Sequence, residues 1–264
     1  FPLHNLPYGV FDRGEGARIG VAIGDQILDL REVAADVPSP ALVQACTATS
    51  LNSFMSLGPG HWTALRNWIT ERLRAGAATR PLIPMTDVTM KFPVEIGDYT
   101  DFFTSLYHAT NAGKIFHPDQ PVRPNYKHMP IGYHSRASSV VLSGTPVQRP
   151  YGQTKPPTVN QPSFGPCRLL DYELEVGFFA GPGNALGKPV SIDAAPSRIF
   201  GACLLNDWSG RDIQFWESQP LGPFLSKSFC TSISPWIVPM AALEPFRIPV
   251  FPRPAGDPAP LAHL

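Results

Sequence analysis

Polar and apolar residues alternate strictly from Asp171 to Val176, with acids at 171, 173 and 175 and Tyr172, Leu174 and Val176 between them, before the apolar Gly177-Phe178-Phe179. A period of two marks a strand, so Asp171, Glu173 and Glu175 are expected on one face. Residues 18–31 read as a hairpin: Ile19, Val21 and Ile23 alternate with small residues, Gly24-Asp25 turns the chain, and Ile27, Leu28 and Leu30 return. After Gly58-Pro59-Gly60 the spacing of Trp62, Leu65, Trp68, Ile69 and Leu73 is helical, with Pro59 suited to the start and Gly76 to the stop. Trp62 and Trp68 share that stripe with aliphatics and read as core anchors. The small, polar segment 75–85 suggests a boundary, giving an N-terminal domain of 1–88 and a second of 89–264. Beyond Phe92, short apolar runs are broken by Pro, Gly and Asn, and 209–217 is the one clear helix. The Pro-rich 149–166 reads as a long surface loop or lid.

The 31 prolines and 22 glycines follow no period, so they punctuate many short elements, which favours a mainly β fold. Lys plus Arg and Asp plus Glu both total 21, so nothing in the net charge points to nucleic acid or an anionic membrane. The four cysteines are widely spaced without a C-x-x-C pair, which argues against a zinc ribbon or disulfide scaffold and for reduced thiols in the cytoplasm. The absence of a spanning-length apolar run or a signal-peptide start predicts a soluble chain.

Five constellations carry possible chemistry. The three alternating acids are either a wetted edge or an oxygen-only site for a hard cation such as Ca²⁺ or Mg²⁺. In Asp98-Tyr99-Thr100-Asp101-Phe102-Phe103, Asp101 sits among aromatics and needs a partner, while His108 downstream is a candidate general base or an ordinary surface histidine. Gly132-Tyr133-His134-Ser135 offers the Tyr133 phenol to a substrate or forms a turn. The strand-like 200–205 delivers Asp207 at its end, Ser209 is placed to cap the following helix, and Arg211, Gln214 and Ser218 share one face of it. Lys227, framed by Phe224, Leu225 and Phe229, is either snorkelling or positioned to stabilise an anion.

Taken in order, DYTDFF with His108, GYHSRASS, LLDYELEVGFF, NDWSGRDIQ and LGPFLSKSF resemble the fumarylacetoacetate hydrolase family, and PYGVF and RIGVAIGDQILDL near the start match as well. The resemblance implies a small N-terminal Src-homology-3-like β-barrel, then a β-sandwich roll with few helices that continues past Leu264, in a cytoplasmic homodimer. It implies water-driven cleavage of a carbon–carbon bond in a 1,3-diketo acid, giving fumarate and acetoacetate in the last step of tyrosine and phenylalanine degradation. By matched motif, Asp101, Glu173, Glu175 and Asp207 become Ca²⁺ ligands and His108 the base. Arg211, Gln214 and Lys227 become the oxyanion-stabilising set, Tyr133 a substrate contact, and Lys227 with Thr231 part of a structural Mg²⁺ site; Asp171 becomes a neighbour of the metal ligands.

Three substrate positions depart from the family pattern: Phe103 stands where a Tyr is expected, His117 where an Arg is, and Ser218 where another Tyr is; Ser135 also replaces a Gly. Losing a guanidinium and two phenols alters recognition of substrate carboxylates and leaves the proposed metal ligands untouched. Two alternatives therefore stand beside the fumarylacetoacetate reading: an acylpyruvate-type hydrolase or decarboxylase, and a catalytically silent metal-binding paralogue.

Overall fold

The structure is a computed structural model describing residues 1–76 and 82–259. Contacts divide it into two units: Phe1–Glu95 with Ser139–Arg247, and Ile96–Ser138 with Ile248–Leu264. Residues 77–81, within the segment read as a boundary, and 260–264 at the Pro-rich end lie outside the described residues.

The first unit opens with a five-stranded antiparallel sheet of β1 (Tyr8–Asp12), β2 (Ala17–Ile23), β3 (Gln26–Asp29), β4 (Ile83–Pro84) and β5 (Thr89–Lys91), in the order β4-β3-β2-β1-β5. The predicted hairpin is β2 and β3, turning at Gly24 with φ 60°. Phe11, Ile27 and Ile83 are buried together in this sheet. Helices α1 (Pro40–Cys46), α2 (Asn52–Ser56) and α3 (Pro59–Arg74) follow. In α3 Pro59 occupies the first turn and Leu65 and Ile69 are buried. Trp62, partly buried, packs against Phe200, and Trp68, also partly buried, lies beneath the Arg72 guanidinium.

In the second unit, β6 (Thr100–Phe102) pairs antiparallel with β7 (Gly132–His134), and α4 (Leu106–Phe116) lies between them in sequence. This helix was not expected. Gly113 interrupts it, yet the Ser105 hydroxyl accepts from the His108 N–H at 3.3 Å and caps its start. Gly113 is required by its neighbour: a Cβ there would lie 1.9 Å from the Pro121 carbonyl oxygen.

The chain returns to the first unit with β8 (Val140–Leu142), β9 (Tyr151–Thr154), β10 (Ser163–Pro166), β11 (Leu170–Asp171), β12 (Leu174–Ala180), β13 (Ile199–Asp207) and β14 (Ser209–Gly210). After these come α5 (Arg211–Glu217), α6 (Leu225–Ser228), β15 (Thr231–Ile233), β16 (Val238–Pro239) and α7 (Met240–Leu243). The central sheet runs β12-β13-β15-β8, with β16 also on β13. Helices α4, α6 and α7 correct the expectation of a single helix after Phe92. The stretch read as a loop or lid at 149–166 is instead a hairpin of β9 and β10. Its Gly152 lies against Ile213 of α5, where a Cβ would come within 2.8 Å of Ile213 Cδ1, so the hairpin is a support for that helix.

The fold is mainly β with few helices. Phe200 on β13 ties the early helices to the central sheet: its ring centroid lies 5.6 Å from Tyr8, 5.5 Å from Phe54 and 5.3 Å from Trp62. On β12 the usual pattern is inverted. Leu174, Val176 and Phe178 point outward and are exposed, as is Leu204 opposite Val176, while Glu175 is partly buried on the other face.

Phe200→Ala is expected to cost about 3–5 kcal/mol in chemical denaturation. A loss below about 1 kcal/mol, the ordinary effect of a peripheral substitution, would show that this cluster does not hold the early helices to the sheet.

Candidate active site

The acidic run is not one unbroken strand. It divides into β11 and β12 around Tyr172 and Glu173, but its register against β13 and β14 continues through the break. Asp171 pairs with Ser209, the Glu173 and Asp207 amides bond each other's carbonyls at 3.1 Å, and Glu175 pairs with Leu205. Paired residues project to the same face of a ladder. That register sets Glu173 and Asp207 side by side, and Glu175 and Asp207 present carboxylate oxygens within 4.8 Å of each other.

Lys227 enters this face from α6. Its Nζ lies 2.6 Å from Asp207 Oδ2 and 2.8 Å from Glu173 Oε1. Lys227 is 4% exposed and Asp207 0%, so the lysine is an internal ion-paired group and does not snorkel. Phe224 is exposed, which corrects the expected apolar frame around the lysine. Arg211 approaches from the start of α5, with Nη2 2.7 Å from Glu173 Oε1, Nε 2.9 Å from Asp171 Oδ2 and Nη1 2.9 Å from Gln214 Oε1. The arginine therefore pairs with both Glu173 and Asp171. Burial raises the Glu173 pKa, but the Lys227 ammonium and then Arg211 outweigh it and hold the carboxyl below its usual range. Asp171, half-exposed, is likewise held low by Arg211 against the opposing effect of burial.

Asp171, Glu173, Glu175 and Asp207 bring four negative charges to this face, and Lys227 and Arg211 bring two positive ones. The set offers only oxygen donors and an excess of two negative charges, which suits a hard divalent cation. Thr231, buried on β15, pairs directly with Asp207 in the ladder.

Ser209 does not cap α5. Gly210 is the cap, and Ser209 lies on β14, donating to the Asp207 carbonyl at 3.3 Å. The helix start is instead held by Asp212, which accepts from Cys167 Sγ at 2.9 Å and from the Arg168 N–H at 2.8 Å. Burial and that carboxylate push the Cys167 thiol up to about 11, so it stays protonated as a donor. Ser218 ends α5, its hydroxyl donating to the Gln214 carbonyl. Sequence reasoning also missed Glu217. Its carboxylate accepts from the backbone N–H groups of Phe224 (2.9 Å), Leu225 (3.2 Å) and Ser226 (2.7 Å), fixing the turn that carries Lys227. A signal existed: an acid in the last turn of a helix faces the unfavourable end of the dipole and calls for another partner.

In the second unit, Asp101 on β6 and Tyr133 on β7 are paired in register and share a face. His108 is exposed in the first turn of α4, its ring edge-to-face with Phe103 at 5.1 Å. His117 ends that helix.

This mainly β architecture with its braced acidic face defines a class. Residues 4–93 match the family model for the fumarylacetoacetase N-terminal domain and 99–251 that for the fumarylacetoacetate hydrolase C-terminal domain. The chain belongs to the fumarylacetoacetate hydrolase family. It is 51% identical to human fumarylacetoacetase over 279 residues, with 100% of this chain and 66% of the relative covered. The Caenorhabditis elegans and Dictyostelium discoideum fumarylacetoacetases are 48% and 47% identical, again over 100% of this chain and over 66% and 65% of theirs. The chain thus spans about two thirds of the length of these relatives. A crystal structure of a Mycobacterium smegmatis protein provisionally named HpcE shares the fold, with TM-score 0.54 and 21% identity over 88% of this chain and 66% of that one. No helix among the described residues is long and apolar enough to cross a membrane.

Glu173 has a folded-state pKa below its unfolded value, so the stability it contributes is fully present above the unfolded value of about 4.3 and is lost as pH falls through the lower folded one. The thermal midpoint, followed by circular dichroism without added metal, is expected to be flat from about pH 7 to 5 and to fall below about 4.3. Lys227→Met strands buried carboxylates and is expected to cost about 3–5 kcal/mol at neutral pH. An unchanged midpoint in that variant would refute the bracing role of the lysine.

Proposed function

We propose that the protein is a fumarylacetoacetase, using water to split 4-fumarylacetoacetate into fumarate and acetoacetate at the end of tyrosine and phenylalanine breakdown. The reading includes a cytoplasmic homodimer, Ca²⁺ at the acidic site and Mg²⁺ at a structural site near Lys227 and Thr231. The observation that carries it is the convergence of Lys227 and Arg211 on the paired carboxylates Glu173 and Asp207, with Gln214 accepting a hydrogen bond from Arg211. A hydrolase of diketo acids needs such a combination of anionic metal ligands and fixed cationic donors. The two family matches, 4–93 and 99–251, support a functional division near residue 88.

Glu173, Glu175 and Asp207 would hold the divalent cation, and the motif containing Asp101 assigns that carboxylate to the same ion. When bound, the cation polarises the diketone oxygens and takes up the enolate charge left by carbon–carbon cleavage. His108 removes a proton from water as the oxygen attacks the carbonyl carbon. Arg211, Gln214 and Lys227 donate N–H groups to the tetrahedral oxyanion, and the carboxylates beside Arg211 and Lys227 fix those two donors before substrate arrives. The carbon–carbon bond then breaks, its electron pair passing into the enolate of the leaving fragment, which is protonated to the ketone. Tyr133 contacts the substrate.

Phe103, His117 and Ser218 favour a second reading, a related acylpyruvate-type substrate, because each stands at an expected substrate contact. Side-by-side assays distinguish the two by kcat/KM.

His108→Ala in the full chain is expected to keep its fold and metal and to lose about 10²–10⁴-fold in kcat; near-normal turnover would remove His108 as the base. In calcium titrations, Glu173→Gln is expected to weaken binding by at least about tenfold while Asp171→Asn stays near wild type, since only the former removes a proposed charged ligand. Equal losses would show that Asp171 is a ligand too.

A further inference from the structure

Residues 117–126 of the second unit hold two polar groups with no part in the mechanism above. The Arg123 guanidinium donates from Nη2 to His117 Nε2 at 2.6 Å. The accepting imidazole nitrogen carries no proton, so this bond leaves the arginine charge intact, together with its other N–H donors. Three residues on, the Tyr126 hydroxyl is buried with no hydrogen-bond partner among the described residues. A buried hydroxyl without a partner is costly unless something else bonds it. The Tyr126 N–H bonds the Arg123 carbonyl at 3.0 Å, so one turn carries both groups. The Tyr126 ring meets that of Phe103 edge-on at 5.9 Å, and Phe103 in turn meets His108 at 5.1 Å.

Phe103 and His117 are two of the positions where the chain lacks the Tyr and Arg expected of its family. Against the first lies a tyrosine, and bonded to the second lies an arginine. A guanidinium can pair with a carboxylate through parallel N–H bonds, and a phenol can add a further donor. We propose that Arg123, positioned by His117 and flanked by Tyr126, is the specificity-determining residue that binds a carboxylate of a dicarboxylic 1,3-diketo acid. This rests on the diketo-acid hydrolase reading above. In it, Arg123 does the work of the missing arginine from six residues further along the chain, and His117 is a positioning residue.

The test is steady-state kinetics on the full chain with fumarylacetoacetate and with a diketone analogue lacking the terminal carboxylate. Arg123→Met is expected to raise KM for the diacid by about ten- to a hundredfold, the value of a charge-assisted contact. It should leave kcat and the KM of the analogue near wild type, a pattern of lost binding and not lost chemistry. His117→Arg added to Arg123→Met returns a guanidinium close by and is expected to lower KM again. Wild-type turnover with an unchanged KM in Arg123→Met overturns the role of Arg123 and leaves the hydrolase reading standing. A wild type that turns over no diketo acid overturns the hydrolase reading, and fumarate binding by calorimetry then judges the arginine. Weaker binding by Arg123→Met supports it, and an equal Kd overturns it.

Discussion

The Lys227 ammonium lies between Glu173 and Asp207, and the local structure of the first unit is arranged to keep it there. A charge 4% exposed is tolerable only with partners at hydrogen-bond distance, and both carboxylates supply one. The carboxylates depend on the lysine in turn. Asp207 is fully buried at the end of β13, and Glu173 stays ionised against its own desolvation because Lys227 and Arg211 are beside it. The resulting face is pre-ionised and rigid, the condition under which fixed charges act on a reacting molecule without first having to reorganise.

The scaffolding around that face explains features that look unrelated along the chain. The β9–β10 hairpin supports α5 through Gly152 and Ile213, and Asp212 pins the start of the helix to Cys167 and Arg168. Thus α5 presents Arg211 and Gln214 at one end and Glu217 at the other. Phe200, on the strand that delivers Asp207, also carries the contact to Tyr8, Phe54 and Trp62. One strand therefore anchors both the site and the attachment of the early helices.

Much of this was legible in the sequence where a local rule governed it. The β2–β3 hairpin, α3 and the placement of Asp207 at a strand end all follow from periodicity and turn residues. Pairings across the chain were not legible: nothing near Arg211 indicates that it reaches Asp171 and Glu173 forty and thirty-eight residues back. Prolines misled at 149–166, where Pro150 and Pro166 flank or end short strands that need few ladder donors. In α4 the interior Gly113, required by the close approach of Pro121, hid a helix that Ser105 caps. The acids at 171–175 showed the right alternation but not which face is covered: the apolar side of β12 is the exposed one.

Glu217 grips the Lys227 turn entirely through main-chain N–H groups, and this has a consequence for sequence drift. The carboxylate does not read side chains, so Phe224, Leu225 and Ser226 are free to diverge as far as this clasp is concerned, provided none becomes proline. Glu217 itself has little such freedom, because aspartate is one methylene shorter and an amide can offer only one accepting oxygen. Variation in this stretch should therefore be permissive in the turn and narrow at the helix end that holds it.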